Sequence, residues 1–125
     1  MNKVMIVADR QQEYMELSCA LLRRGASIAW AQTGEGALNV LTSSKFDFVI
    51  TEENLSDMSG YSFIERMVQV NPFINSAVIS RLNKDEFHDV SEGLGVLMAV
   101  DPEAQEKSVC ELFEKLDVLN KKQIM

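Results

Sequence analysis

Five short apolar runs, each followed by a stretch whose apolar residues recur at helical spacing, leave few folds open to this chain. Lys3–Ala8 (KVMIVA) is apolar and β-branched, the pattern of a strand buried on both faces as in parallel sheets. Tyr14, Leu17, Leu21 and Leu22 then share a helical face, with Arg23 and Arg24 at the negative end of the dipole and Gly25 able to cap it. Ile28–Ala31 predicts a second strand, and Thr33-Gly34-Glu35-Gly36 opens a helix carrying Ala37, Leu38 and Leu41. Phe46–Ile50 (FDFVI) is the strongest strand signal, followed by a polar loop over Thr51–Gly60 and a helix built on Phe63, Ile64, Met67 and Val68 that Asn71-Pro72 closes. Ala77–Ser80, a weaker helix around Lys84–Ser91, and Val96–Val100 continue the alternation. Asp101-Pro102 precedes a long helix in which Val109, Leu112, Phe113, Leu116 and Leu119 lie on one face.

Strict strand–helix alternation with right-handed crossovers predicts an α/β fold with a five-stranded, parallel, doubly wound sheet. At 125 residues the chain makes one domain, residues 1–125, able to bury about two-thirds of its unfolded surface. With 46% hydrophobic and 25% charged residues it matches a globular domain rather than a disordered one. Nineteen acids against twelve bases leave a net charge of -7, which repels phosphate backbones and anionic lipid and argues against direct nucleic-acid or membrane binding. Cys19 and Cys110 lack metal-ligand spacing and disulfide-scaffold density, as expected of a protein in a reducing cytoplasm. No apolar run approaches the ~20 residues of a membrane span, and Met1-Asn2-Lys3 enters a strand-like run rather than a signal-peptide core.

Ligand chemistry in doubly wound sheets gathers at the carboxyl ends of the strands. The candidates there are Asp9, Glu52, Glu53, Ser80, Arg81 and Asp101. If the third strand reaches them, consecutive Glu52 and Glu53 point to opposite faces, with Glu53 in solvent. Lys3–Asp9 (KVMIVAD), Phe46–Gly60 (FDFVITEENLSDMSG), Ser80 and the Asp101-Pro102 pair together resemble a response-regulator receiver domain, the flavodoxin-like module of two-component phosphorelay signalling. The resemblance spans essentially the whole chain and implies a cytoplasmic, non-enzymatic protein-interaction module.

Position by position, the resemblance also implies lost chemistry. The family's acidic pair becomes Ala8-Asp9, and its phosphoacceptor Asp becomes Glu52, whose extra methylene is expected to push the carboxylate outward and spoil in-line attack. Ser80 matches the family hydroxyl, Arg81 stands where a small residue leaves room for a phosphoryl group, and Asp101 replaces the family lysine. Pro102 keeps the proline that in the family follows a cis peptide bond. Ser56 replaces a loop proline, Ser59 an acidic residue, and Met98 an aromatic switch, so Met98 is expected to be core. The expected site is a degenerate phosphoacceptor site of Glu52, Asp9, Ser80, Asp101 and Arg81. No resident cofactor is expected; Asp9, Glu52 and Asn54, or Asp9, Glu52 and Asp101, would hold Mg²⁺ weakly if at all. Arg81 either pairs with Glu52 or Asp101 in place of the lysine, fixing the segment after the fourth strand, or extends into solvent.

Three functions follow from these residues. The first is a phosphorylation-independent receiver that binds a protein partner through the helix at Lys84–Ser91, the strand at Val96–Val100 and the C-terminal helix, with a homodimer also open. The second is a phosphoaccepting receiver using a non-standard site. The third, a flavodoxin-like nucleotide binder, needs a phosphate loop: Gly34-Glu35-Gly36 follows the second strand rather than the first and reads better as a helix start. His88, the single histidine, has no nucleophile partner in sequence and reads as a surface residue, while Lys115, Lys121 and Lys122 read as dipole compensation.

Overall fold

The computed structural model describes the backbone of residues 2–124 and the side chains of residues 2–119; Lys121 and Lys122 fall outside the described side chains. Five parallel strands, β1 (Lys3–Val7), β2 (Ser27–Ala31), β3 (Phe48–Glu52), β4 (Asn75–Ile79) and β5 (Met98–Val100), form one sheet in the order β2-β1-β3-β4-β5. Five helices connect or follow them: α1 (Met15–Arg23), α2 (Gly34–Ser43), α3 (Gly60–Val70), α4 (Lys84–Ser91) and α5 (Gln105–Ile124). α1 and α5 cover one face, burying Leu17, Leu21, Val109 and Leu112 against Ile6, Ile50 and Val100. α2, α3 and α4 cover the other, where Leu38, Phe63, Met67 and Phe87 meet Met5, Val49 and Val78. Met98 is a buried core residue, as its position in sequence predicts.

All five strands differ from their apolar runs, β1 and β2 by one residue at one end and the other three by more. Phe46 and Asp47 precede β3: Phe46 packs into the α2–α3 layer, while Asp47 donates its N–H to the Lys3 carbonyl and accepts from the Lys3 N–H. β3 therefore runs two residues further than its apolar run suggests and includes Glu52. β4 begins at Asn75 and stops before Ser80, and β5 keeps only Met98–Val100, in register with Ala77–Ile79. Between β1 and α1 the chain also makes a 3-10 helix over Gln11–Tyr14, closed by the Glu13 N–H on the Arg10 carbonyl. The Asp101–Pro102 peptide bond is trans.

Candidate functional site

β1 and β3 are adjacent although β2 lies between them in sequence, so their carboxyl ends flank the point where the winding reverses. A cleft of about 100 Å³ opens there, lined by Glu52, Glu53, Arg10, Ser80, Arg81 and Pro102. Glu52 is only 5% exposed. Its side chain turns inward rather than outward: one carboxylate oxygen accepts the Asp9 N–H at 2.7 Å, the other the Tyr14 hydroxyl at 2.7 Å. The extra methylene that was expected to carry the carboxylate out of the site instead lets it reach the 3-10 turn.

Burying a carboxylate without a cation is costly, and two donors on two oxygens offset that cost. The same bonds act on Tyr14. Burial, then its hydrogen bond to Glu52 and the charge of Glu52, hold its phenol well above the ordinary range, so it remains a donor. The neighbouring carboxylate repeats the motif on the other face of the sheet. Glu53, half-buried rather than solvated, accepts from the Tyr61 hydroxyl at 2.8 Å. The Tyr61 phenol is likewise raised, by burial first and then by Glu53, while the Ser80 hydroxyl opposes the shift.

The remaining strand-end residues do not converge as the sequence suggested. Arg81 does not pair with Glu52 or Asp101; its guanidinium donates to Glu103 at 3.0 Å, with both side chains exposed. Both Glu52 oxygens already accept from neutral donors, so pairing there would gain Arg81 too little to repay desolvating its guanidinium. The segment after β4 is fixed locally instead: Ser80 Oγ accepts the Leu82 N–H, and Asn83 and Glu86 form a reciprocal cap on α4. Asp101 turns away, accepting the Glu103 N–H while its own N–H donates to Ser108 Oγ. Asp9 contributes its backbone to the site and exposes its side chain. Asn54 lines the cleft and bridges Ser59 through its backbone.

This donor set does not fit an octahedral Mg²⁺ ion. The Glu52 oxygens face hydrogen-bond donors, position 8 is alanine, and among the described residues no three His, Cys, Asp or Glu side chains are grouped to hold a metal. The turn before α2 is closed to phosphate as well. Asp57 accepts the Gly34 and Glu35 N–H groups at 2.9 Å each, and Thr33 Oγ1 accepts that of Gly36 at 3.0 Å. A carboxylate of the chain itself thus occupies the place of an anion.

A family model described as the response regulator receiver domain matches residues 4–101. The chain belongs to that family. Receiver structures share its fold closely. A two-component response regulator from Clostridium difficile superposes with a TM-score of 0.83 at 21% identity, covering 96% of this chain and 99% of the other. The chemotaxis response regulator CheY4 of Vibrio cholerae gives 0.80 at 20%, with 92% and 98% covered. A CheY-like receiver domain protein from Methanospirillum hungatei gives 0.80 at 20%, with 98% of each chain covered. No curated protein matches the sequence. Among the described residues no helix of this receiver is long and apolar enough to cross a membrane.

Tyr14, Tyr61 and Asp57 were missed as site residues from sequence. Tyr14 counts there as one more apolar position of a helix, and nothing local marks it as the partner of a carboxylate 38 positions away.

Proposed function

We propose that this receiver works as a phosphorylation-independent, non-catalytic interaction module of a two-component pathway, acting in the cytoplasm. The observation that carries this reading is Glu52. The residue at the phosphoacceptor position is buried, both its oxygens accept hydrogen bonds, and Asp101 stands where the family carries a lysine. In-line attack on phosphorus needs an exposed oxygen at near-attack distance, and withdrawing Glu52 from two donors would first cost both bonds. Glu52, Asp9, Ser80, Asp101 and Arg81 are then the remnant of a phosphoacceptor site.

The partner is a protein, docked on the face of α4, β5 and α5, where Phe87, His88, Leu97 and Lys115 border one groove. Its shape is constant because local bonds hold the segment after β4. The test is incubation with acetyl phosphate and Mg²⁺ followed by intact-mass measurement. The mass stays unchanged; a stoichiometric gain of ~80 Da, the mass of a phosphoryl group, that Glu52→Gln abolishes would overturn the proposal.

A further inference from the structure

β2 is an edge of the sheet and pairs with β1 alone. Ser27 donates its N–H to the Asn2 carbonyl, and the Ala31 carbonyl accepts the Ala8 N–H. Ladder alternation therefore turns the backbone groups of Ser27, Ala29 and Ala31 toward β1 and those of Ile28 and Trp30 outward. From Gly25 to Gly34 the chain carries no ionisable side chain and no proline. The devices that blunt an edge strand against pairing are thus missing from β2, whereas the opposite edge, β5, is only three residues long. Beside β2, α1 and its C-cap turn Glu16, Arg23 and Arg24 to partners on α5. Its other flank leaves Met15, Cys19 and Leu22 exposed in one stripe, with Met15 and Leu22 each 54% accessible.

We propose that β2 pairs antiparallel with β2 of a second copy about a two-fold axis at Ala29, joining two five-stranded sheets into one. The strip is self-complementary. Antiparallel pairing about Ala29 sets Ile28 opposite Trp30 and Ser27 opposite Ala31. The outward backbone groups of Ile28 and Trp30 then meet each other as hydrogen-bonded pairs. Ile28 and Trp30 both project toward the α1–α5 layer, where they are half-buried, so the seam brings an aromatic ring against a β-branched side chain on each side of the axis. The α1 stripes flank the same seam. Charge favours this approach over others: a chain at -7 repels its own copy, but not across a segment without charge. The assembly is independent of the state of Glu52 and of the proposed interaction role.

Sedimentation velocity over ~1 to ~300 µM, spanning the affinities of small interfaces, tests the assembly. The weight-average mass rises from 14.1 kDa toward twice that value. The fluorescence of Trp30, the single tryptophan, shifts to the blue in parallel. Ala29 faces its own copy across the axis, so Ala29→Lys and Ala29→Glu are each monomeric over the same range, while an equimolar mixture of the two recovers the dimer. A chain that stays monomeric throughout, or a dimer indifferent to charge at Ala29, overturns the proposal. Should either variant fail to give the far-UV circular dichroism of the parent, amide exchange in the unmodified chain decides. Exchange at Ile28 and Trp30 slows as protein concentration rises; concentration-independent exchange at both overturns the pairing.

Discussion

A carboxylate taken out of water must be given donors, and at Glu52 the chain supplies one from the backbone of Asp9 and one from the phenol of Tyr14. Tyr14→Phe keeps the ring in its packed place and removes only the hydroxyl, leaving one buried oxygen short of a partner. It is expected to lower stability by about 1–3 kcal/mol in urea unfolding, the cost of an unsatisfied buried polar group. Arg81→Ala serves as the contrast. The Arg81–Glu103 pair is exposed on both sides, where water and salt screen it, so the urea midpoint moves little. A large loss in Arg81→Ala together with none in Tyr14→Phe would reverse the assignment of the counter-group. At this scale the sequence was half legible. The position of Glu52 followed from the strand pattern, but its partner did not, because the choice between a charged arginine and a neutral tyrosine at the same cleft depends on desolvation cost.

Elements are joined at the cleft through single residues whose environment admits no larger substitute or weaker partner. Gly60 opens α3 so close to the end of β3 that a Cβ there would run into the Glu52 carbonyl, and its N–H donates to Glu53 at 2.8 Å. Gly60→Ala forces β3 and α3 apart and is expected to cost about 1–3 kcal/mol, as for other overpacked sites, in the same unfolding measurement. Asp57 reaches from the loop after β3 to cap α2. Its carboxyl is held below the ordinary range chiefly by the Glu35 N–H and then by the Gly34 N–H, with burial opposing. A lowered folded-state pKa means that the stabilisation is complete above the unfolded value of ~3.9 and fades as pH falls through the lower folded value. Asp57→Asn should therefore flatten the acid limb of the stability–pH curve and leave its neutral-to-alkaline shape unchanged. Gln105 ties α5 to α1 by accepting the Leu17 N–H and donating to the Glu13 carbonyl. The alternation of strands and helices was legible because periodicity is local. The ends of β3, β4 and β5 were not, since a strand's length is set by its register with a neighbour, Glu52 against Ile79 and Met98 against Ala77, rather than by its own propensity.

Across the whole molecule, the end of β3 links the two layers: Glu52 faces the side of α1 and α5, Glu53 the side of α2, α3 and α4, and each is met by a phenol from its own layer. Tyr14 and Tyr61 are the only tyrosines, so the phenol titration of the entire chain reports on this arrangement. Both phenols are raised in the folded state, first by burial and then by the carboxylate each bonds. The sign follows from linkage. A raised folded-state pKa stabilises the fold fully below the unfolded phenol value of ~10 and loses that contribution as pH climbs through the folded value. Between the two, the unfolded chain gives up protons that the folded chain keeps, so alkali favours unfolding before the native phenols ionise. Absorbance at 295 nm followed together with far-UV circular dichroism checks this. No phenolate is expected at the ordinary midpoint while the dichroism is native, and the rise at higher pH should coincide with loss of structure. In Tyr61→Phe the remaining phenol, Tyr14, should still resist, because Glu52 and the packing around it are intact. Native dichroism with half of the phenol signal appearing near pH 10 would place one tyrosine in water and break the link between carboxylate and layer on that side of the sheet.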